Sequence, residues 1–440
     1  MMVYCQLFVF PLLALLLPVF LLNSPFKRNA LWFFLCLHLI YLVWVPVTDR
    51  ILNFNSFFGF SLPWSAEMDS TICGIYVAAS LAFWCGYLLS NNFQPGLIQV
   101  KAKTRLKFNG PSVFKTLTIL QILVWILILF NINASGISLA GLLNPSNQNE
   151  NEILFSIAWK HPWIDLLSNV LPVCLFLQWY YKPKPSLPWF MLLGFWLIFS
   201  LLGGWRYRLI LFLLFMGLGY LQTHTIKWKL VFPVLVFLGF SMAWLTLNRM
   251  AIAKRQFDLI TFDLRQFDLG ILNTEFSNSR TFRASLSYME KNNISHPRIE
   301  SWTNFVSNKF QKKDSFPNGI RPKPWILEIT KAWIPPGWPW NPNPAVSQLE
   351  EFYLTFGWFG MVFCMILVGI WVHFLDRITD NSLFLAGKIV CIALLFQWVS
   401  RGFFLFQLQI TLVCLLPFLV LILLRSYLYD DSEKDPIGSV

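Results

Sequence analysis

The stretch LVFPVLVFLGFSMAWLTLNRMAIAKRQFDLITFDLRQFDL (230–269) holds the sharpest change of character in the chain: a mainly apolar run to Leu247, then charge interleaved with phenylalanine from Arg249. Upstream of it the sequence is mostly apolar. Downstream a hydrophilic segment continues to residue 350, and apolar sequence returns as far as 424. A helix needs roughly 17 to 25 mainly apolar residues to cross the hydrocarbon core, so the junction reads as the end of a membrane span opening into one large polar segment.

Composition agrees. Of 440 residues 56% are hydrophobic and 13% charged, against about 25% charged in soluble domains. Lys and Arg outnumber Asp and Glu, 34 to 22. The excess sits in short loops between apolar segments, where membrane topology requires it, and so does not point to a nucleic-acid partner. The eight cysteines (5, 36, 73, 85, 174, 364, 391 and 414) all lie in apolar segments and read as small buried hydrophobes, without disulfide or metal-ligand spacing. The first apolar run has no basic leader and no small-residue cleavage pattern, and is expected to be a retained span.

The length rule gives eleven candidate spans, about 3–22, 30–47, 70–90, 113–132, 163–181, 187–202, 208–222, 229–248, 352–376, 383–400 and 403–424. The expected fold is an all-α polytopic membrane protein. It divides into spans one to eight (1–248), a large extracytoplasmic loop (249–350), spans nine to eleven (351–424) and a cytoplasmic tail (425–440). The sixth and seventh spans are short, and one re-entrant hairpin is an alternative for the pair. Alternate loops carry the basic residues: Lys27 with Arg28, Lys101 to Lys107, Lys182 with Lys184, Lys227 with Lys229, Arg377, and the tail. These loops are therefore cytoplasmic, which puts the N-terminus outside, the C-terminus inside and 249–350 on the outer face.

Phe-Asp-Leu recurs from Phe257, Phe262 and Phe267. Five residues advance about 140° around a helix, so the copies share no face. The segment reads first as an amphipathic helix on the outer surface and second as a binding repeat. IPPGWPWNPNP (334–344) is too rich in proline for helix or sheet.

No Walker loop, dinucleotide fingerprint, HExxH, GxSxG or zinc-type cluster occurs. The informative residues are outer cations, which positive-inside topology disfavours in short external loops. Arg206 and Arg208 lie in a short turn between two spans, Arg401 in another, and Arg280, Arg283 and Arg321 in the long segment. A guanidinium is a planar donor fork that suits phosphate oxygens and keeps its charge when desolvated. Several of them outside a membrane point to a lipid-linked phosphate or diphosphate; snorkelling to headgroups is the competing reading for each alone. Glu350 and Glu351 stand where the polar segment enters the ninth span, suited to helix capping or to acid–base catalysis. His296 is the one histidine of the segment and a second proton acceptor. His161 and Asp165 stand at the outer start of the fifth span, and His38, deep in the second, reads as a hydrogen-bonded packing residue. Trp325, Trp333, Trp338 and Trp340 suit either a sugar-binding lip or an interfacial belt.

The proline-rich Ile-Pro-Pro end of the outer loop, the glutamate before EFYLTFGWFG and the GGWRYRLILF turn resemble the oligosaccharide repeat-unit polymerases, the O-antigen polymerases of the Wzy type. The span count and the single late outer loop fit the same resemblance, which covers nearly the whole chain through loose motifs. It implies a C-type glycosyltransferase (GT-C-like) polymerase or ligase fold in a bacterial plasma membrane, acting on oligosaccharides carried by undecaprenyl diphosphate. No cofactor and no metal would be needed, and the partners would be the lipid-linked substrate, membrane lipids, a chain-length regulator and a flippase. Under it Arg206, Arg208 and Arg401, then Arg280, Arg283 and Arg321, would bind the diphosphate. Glu350, Glu351 and His296 would supply acid–base chemistry and the four tryptophans would face sugar. Arg321 and Gly337 match an arginine-to-glycine spacing of some members. A glycan ligase shares this donor, and its acceptor alone differs; a polysaccharide flippase or other transporter is a further class, but no internal duplication supports it.

Overall fold

The computed structural model describes residues 2–22, 29–51, 56–57, 60–62, 65–92, 109–134, 136, 162–182, 186–202, 206–223, 244, 248, 278–297, 300–310, 325–334, 346–378, 382–400, 404–424 and 428. In chain order they form α1 (Met2–Leu16) with a 3-10 turn (Leu17–Leu21), α2 (Asn29–His38), a π-helical stretch (Leu39–Trp44) and α3 (Val45–Ile51). A hairpin of β1 (Ser56–Phe57) and β2 (Phe60–Ser61) comes next, with two residues in each strand. Then come α4 (Ala66–Asn92), α5 (Gly110–Ala134), α6 (Pro162–Leu167), α7 (Val170–Tyr181), α8 (Leu187–Leu202) and α9 (Arg206–Thr223). The rest is α10 (Asn278–Lys291), α11 (Glu300–Phe310), α12 (Trp325–Ala332), α13 (Gln348–Arg377), α14 (Ser382–Ser400), α15 (Phe404–Cys414) and α16 (Leu416–Leu423).

Among the described residues, six helical stretches are long and apolar enough to cross a membrane: Asn29–Ile51, Ala66–Ser90, Gly110–Ala134, Gln348–Arg377, Leu383–Ser400 and Phe404–Leu423. Shorter apolar helices cover Val9–Leu21, Val170–Tyr181, Leu187–Ser200 and Tyr207–Gln222. The chain is a helical multi-pass membrane protein. The expected span 229–248 and the Phe-Asp-Leu repeat lie outside the described residues, apart from Trp244 and Asn248. Several expected spans are interrupted for local reasons. Pro18 and Pro417, each without a backbone donor, stand where α1 and α15 give way to new turns, and Ser168 and Asn169 form the turn between α6 and α7.

The chain divides into two compact units. The first holds residues 1–99, 272–377 and 395–407; the second holds 100–271, 378–394 and 408–440. The expected topological division is thus not the division of packing: α10, from the middle of the polar segment, belongs to the same unit as the first spans.

In the first unit α4 and α13 run parallel, with Gly74 against Trp358, Gly86 against Ile366 and Tyr87 bonded to Asp376. Two glycines set their spacing. A Cβ on Gly86 would lie 2.0 Å from the carbonyl oxygen of Ile366, and one on Gly369 2.1 Å from that of Phe83. The backbones therefore touch, the close approach by which small residues let membrane helices gain dispersion contact. Asp376 closes one end of the pair. Its carboxylate accepts the amides of Ala30 (2.8 Å) and Leu31 (3.1 Å), orphan donors in the first turn of α2, and the Tyr87 hydroxyl (2.9 Å). Phe34 stacks on Phe83 at 4.1 Å beside Trp84 and Tyr87. His38 bonds the Phe34 carbonyl at 3.1 Å, the packing role expected of it.

In the second unit α5 and α7 share a buried amide ladder. Gln121 donates to Gln178 (2.9 Å), which donates in turn to Thr118 (2.9 Å). In an apolar surrounding each such bond replaces an unsatisfied polar group. Trp189 of α8 donates to the Leu175 carbonyl (3.0 Å), and Cys414 to the Asn169 carbonyl (3.7 Å). Lys388, buried in α14, reaches back to donate to the Ile378 carbonyl (3.1 Å).

Gly86→Ala and Gly369→Ala should each lower the stability of the detergent-solubilised protein by about 1–3 kcal/mol, because backbone cannot yield to the added methyl. Gly194→Ala, whose Cβ would meet nothing within 4 Å, should leave it unchanged or slightly raised. Thermal unfolding followed by tryptophan fluorescence measures both.

Candidate functional site

The densest collection of buried charge in the first unit lies where α10 meets α3 and α4. α10, NSRTFRASLSYMEK, is short of apolar residues yet buried along nearly its whole length. Arg280 and Arg283 stand one turn apart on it and so share a face. Its C-terminus is closed by Asn293 in the left-handed conformation (φ 51°). The Ile294 amide reaches the Met289 carbonyl at 2.9 Å and the Asn293 amide the Glu290 carbonyl at 3.3 Å, a Schellman closure.

Arg280 meets Asp49 as a two-pronged ion pair, Nε to Oδ2 at 2.9 Å and an Nη to Oδ1 at 2.6 Å, and Ser279 Oγ lies 3.3 Å from the same carboxylate. Asp49 is brought there by an irregular turn. Pro46 has no N–H to give the preceding turn, the helix widens into the π stretch 39–44, and Thr48 Oγ1 bonds the carbonyls of Trp44 and Val45. Arg283 pairs with Asp69, in the first turn of α4, at 2.5 Å, with side-chain exposures of 4% and 0%. Burial lowers the Arg283 pKa from its ordinary value, the Asp69 carboxylate opposes this, and Arg50 nearby adds to the lowering. Between the two pairs a cavity of about 10 Å³, lined by Pro46, Asp49, Leu62, Ile72, Ser279, Arg280 and Arg283, is no larger than one water.

A third buried pair adjoins these. Tyr76, two turns after Asp69 on α4, donates to Glu350 Oε1 at 2.6 Å. Glu350 Oε2 accepts the Ser347 amide at 2.6 Å, and Ser347-Gln-Leu-Glu350 is the capping-box pattern at the start of α13. Glu351 accepts the amide of Phe404 at 2.6 Å and thereby caps α15. Both glutamates are fully buried and serve helix termini, the capping alternative for these acids.

His296 sits at a break in α13. Gly357 has φ 69° and ψ −162°, so the helix is interrupted inside EFYLTFGWFG. The interruption leaves the Leu354 carbonyl without its helical donor, and His296 Nδ1–H supplies one at 2.8 Å. A carbonyl can only accept, so Nδ1 carries a proton. The imidazole edge touches Tyr353 at 5.4 Å between centroids, and Tyr353 in turn touches Phe282 at 6.0 Å.

Of the expected anion-binding residues, the structure brings Arg280 and Arg283 together. Arg208 is buried in the second unit, its Nε 3.1 Å from the Tyr207 hydroxyl. Arg206 begins α9, with its side chain outside the description. Arg321, Arg401, His161, Gly337, Trp338 and Trp340 lie outside the described residues, as does the Asp165 side chain. Trp325 is half-buried at the start of α12. Trp333 is a core residue: its indole donates to Ser285 at 3.2 Å and packs with Leu62 and Ala284, leaving no face for a sugar. Sequence reading missed Asp49, Asp69 and Tyr76. Acidic residues at the ends of apolar spans, costly unless paired, were the signal.

The arrangement can hold anionic oxygens with two forks one turn apart and can accept a proton on a carboxylate. No known protein family, curated protein or solved structure matches the chain.

Asp49→Ala strands Arg280 as an uncompensated buried charge and should cost about 3–5 kcal/mol, whereas the double variant Asp49→Leu/Arg280→Met should recover most of it. A double-mutant cycle on detergent-solubilised protein checks this; additive losses would show that the pair is not coupled.

Proposed function

We propose that this chain polymerises oligosaccharide repeat units carried on undecaprenyl diphosphate at the outer face of a bacterial plasma membrane. One observation carries the reading: two guanidiniums, one helical turn apart, are withdrawn from water where the polar segment meets the spans. A diphosphate offers two adjacent anionic groups to such a pair, and the fork by which Arg280 holds Asp49 suits phosphate oxygens equally. The resemblance of the EFYLTFGWFG and GGWRYRLILF regions to repeat-unit polymerases supports the same reading. The same proposal includes eleven spans in a GT-C-like arrangement, with the N-terminus outside.

In this reaction the growing glycan on its lipid diphosphate is the donor, and a sugar hydroxyl of the next unit attacks its anomeric carbon. The polyprenyl diphosphate leaves, and Arg280 and Arg283 stabilise the charge that develops on it. Arg206, Arg208, Arg321 and Arg401 are further candidates for binding anionic oxygens of the lipid-linked substrate. Glu350 and Glu351 hold the ends of α13 and α15, and so hold the walls of the site. In the closed state the carboxylates occupy the guanidinium edges and the cavity between them takes one water. Entry of a diphosphate therefore requires Arg280 to exchange the Asp49 carboxylate for phosphate oxygens, while Arg283 keeps its contact with Asp69.

Deleting the gene should leave single repeat units on the surface acceptor. Long chains retained on undecaprenyl diphosphate would instead mean a ligase, and single units trapped facing the cytoplasm a flippase. Arg283→Lys, which keeps the charge and loses the fork, should cut chain extension roughly tenfold or more, about the value of one charge-assisted hydrogen bond. Arg206→Ala and Arg401→Ala should abolish extension at normal protein level, and Arg105→Ala should do little. Glycan length on gels reads all four variants, and normal length in both outer-turn variants would remove Arg206 and Arg401 from the donor site.

A further inference from the structure

We infer that Asp69 is the catalytic residue that takes the proton from the attacking sugar hydroxyl, and that its pairing with Arg283 couples this proton transfer to departure of the diphosphate. The inference rests on the polymerase reading and assigns the base that this reading leaves open.

Four carboxylates lie buried around the site, and three are spent on holding it. Asp49 takes two bonds from Arg280 and one from Ser279. Glu350 takes Tyr76 on one oxygen and the Ser347 amide on the other. Glu351 caps α15 through the Phe404 amide. Asp69 is fully buried beside Arg283: its Oδ1 lies 2.5 Å from an Nη of Arg283, and among the described residues its Oδ2 accepts no hydrogen bond. A buried carboxylate ordinarily takes several donors, and an oxygen that takes none calls for an explanation in function. A substrate hydroxyl is the donor that would use it. His296 is a weaker candidate, because its Nδ1 is engaged by the Leu354 carbonyl and its ring packs on Tyr353.

The step balances. The hydroxyl oxygen forms a bond to the anomeric carbon, and the bond from that carbon to the phosphate oxygen breaks with its electron pair leaving on the diphosphate. The hydroxyl proton goes to an Asp69 oxygen and later to water. Before reaction Arg283 and Asp69 are jointly neutral. Protonation of Asp69 removes the negative charge beside Arg283 as the leaving diphosphate acquires its own. Acid–base and electrostatic catalysis then act through one contact.

The test uses the full-length protein in nanodiscs with lipid-linked repeat units extracted from the deletion strain, and with undecaprenyl diphosphate as binding probe. Asp69→Asn should lower kcat by about 10²-fold or more, the usual share of a general base, while KM and undecaprenyl diphosphate binding stay within about threefold. Asp69→Glu should regain part of kcat. An Asn variant turning over within tenfold of the natural protein would overturn the assignment. So would one that loses probe binding together with turnover, since Asp69 would then only position Arg283. If Asp69→Asn does not reach the membrane, Asp69→Glu decides: a rate equal to the natural one rejects the role, and a fall of about tenfold or more with unchanged probe binding supports it. Failure of the natural protein to extend the units would overturn the polymerase reading itself, an outcome distinct from failure of the Asn variant alone.

Discussion

A guanidinium cannot be taken out of water without a counterion, because the desolvation cost of an isolated charge exceeds anything apolar packing returns. The first unit is organised around that constraint. α10 carries two arginines and few apolar residues, so its burial depends on carboxylates from elements more than two hundred residues earlier: Asp49 on α3 and Asp69 on α4. Were either acid absent, α10 would have no reason to leave the aqueous face. The contacts that its burial creates, Trp333 on Ser285 and Tyr353 on Phe282, would go with it.

The spans in turn are shaped to deliver those acids. A regular helix through residues 39–51 would require an N–H that Pro46 lacks. The π stretch absorbs the defect and turns the residues of α3 to a different face, and Asp49 meets Arg280 as a result. α4 is kept in register by backbone contact at Gly86 and Gly369 and by two side-chain ties to α13, Tyr76 to Glu350 and Tyr87 to Asp376. Those ties satisfy helix termini as well: Glu350 caps α13, and Asp376 caps α2. Polar groups in the apolar part of this unit thus serve two purposes, ending helices that have no water to end them and fixing neighbours in place.

Much of this was legible in the sequence, and the remainder was hidden for an identifiable cause. Apolar length placed the spans, because hydrophobic thickness is a one-dimensional constraint. The outer arginines were visible as violations of charge topology, and Glu350 and Glu351 as acids at a helix start. Asp49, Asp69 and Tyr76 were not singled out, because their role lies in partners at separations of about 230, 215 and 275 positions that no local pattern encodes. Trp333 shows the opposite error. Its crowded aromatic neighbourhood suggests a surface lip, but that reading is compositional, and the indole is instead the apolar patch that anchors α12 to α10.

The break at Gly357 ties the remaining loop to the site. A continuous α13 would direct the Leu354 carbonyl to its own helix and leave nothing for the 291–297 connection to bind. With the helix interrupted, that carbonyl turns to His296, and a Cβ at position 357 would stand 3.2 Å from the imidazole, so glycine meets both the left-handed backbone and the close approach. The consequence is mechanical. The short first segment of α13, which carries Glu350 and Glu351, is bonded through Leu354 to the 291–297 connection that follows α10. A movement of α10 that separates Arg280 from Asp49 would therefore be felt at Glu350 and Tyr76 without bending the long apolar part of α13 beyond Gly357. Packing built this way can loosen at α10 while the glycine-packed pair of helices stays closed.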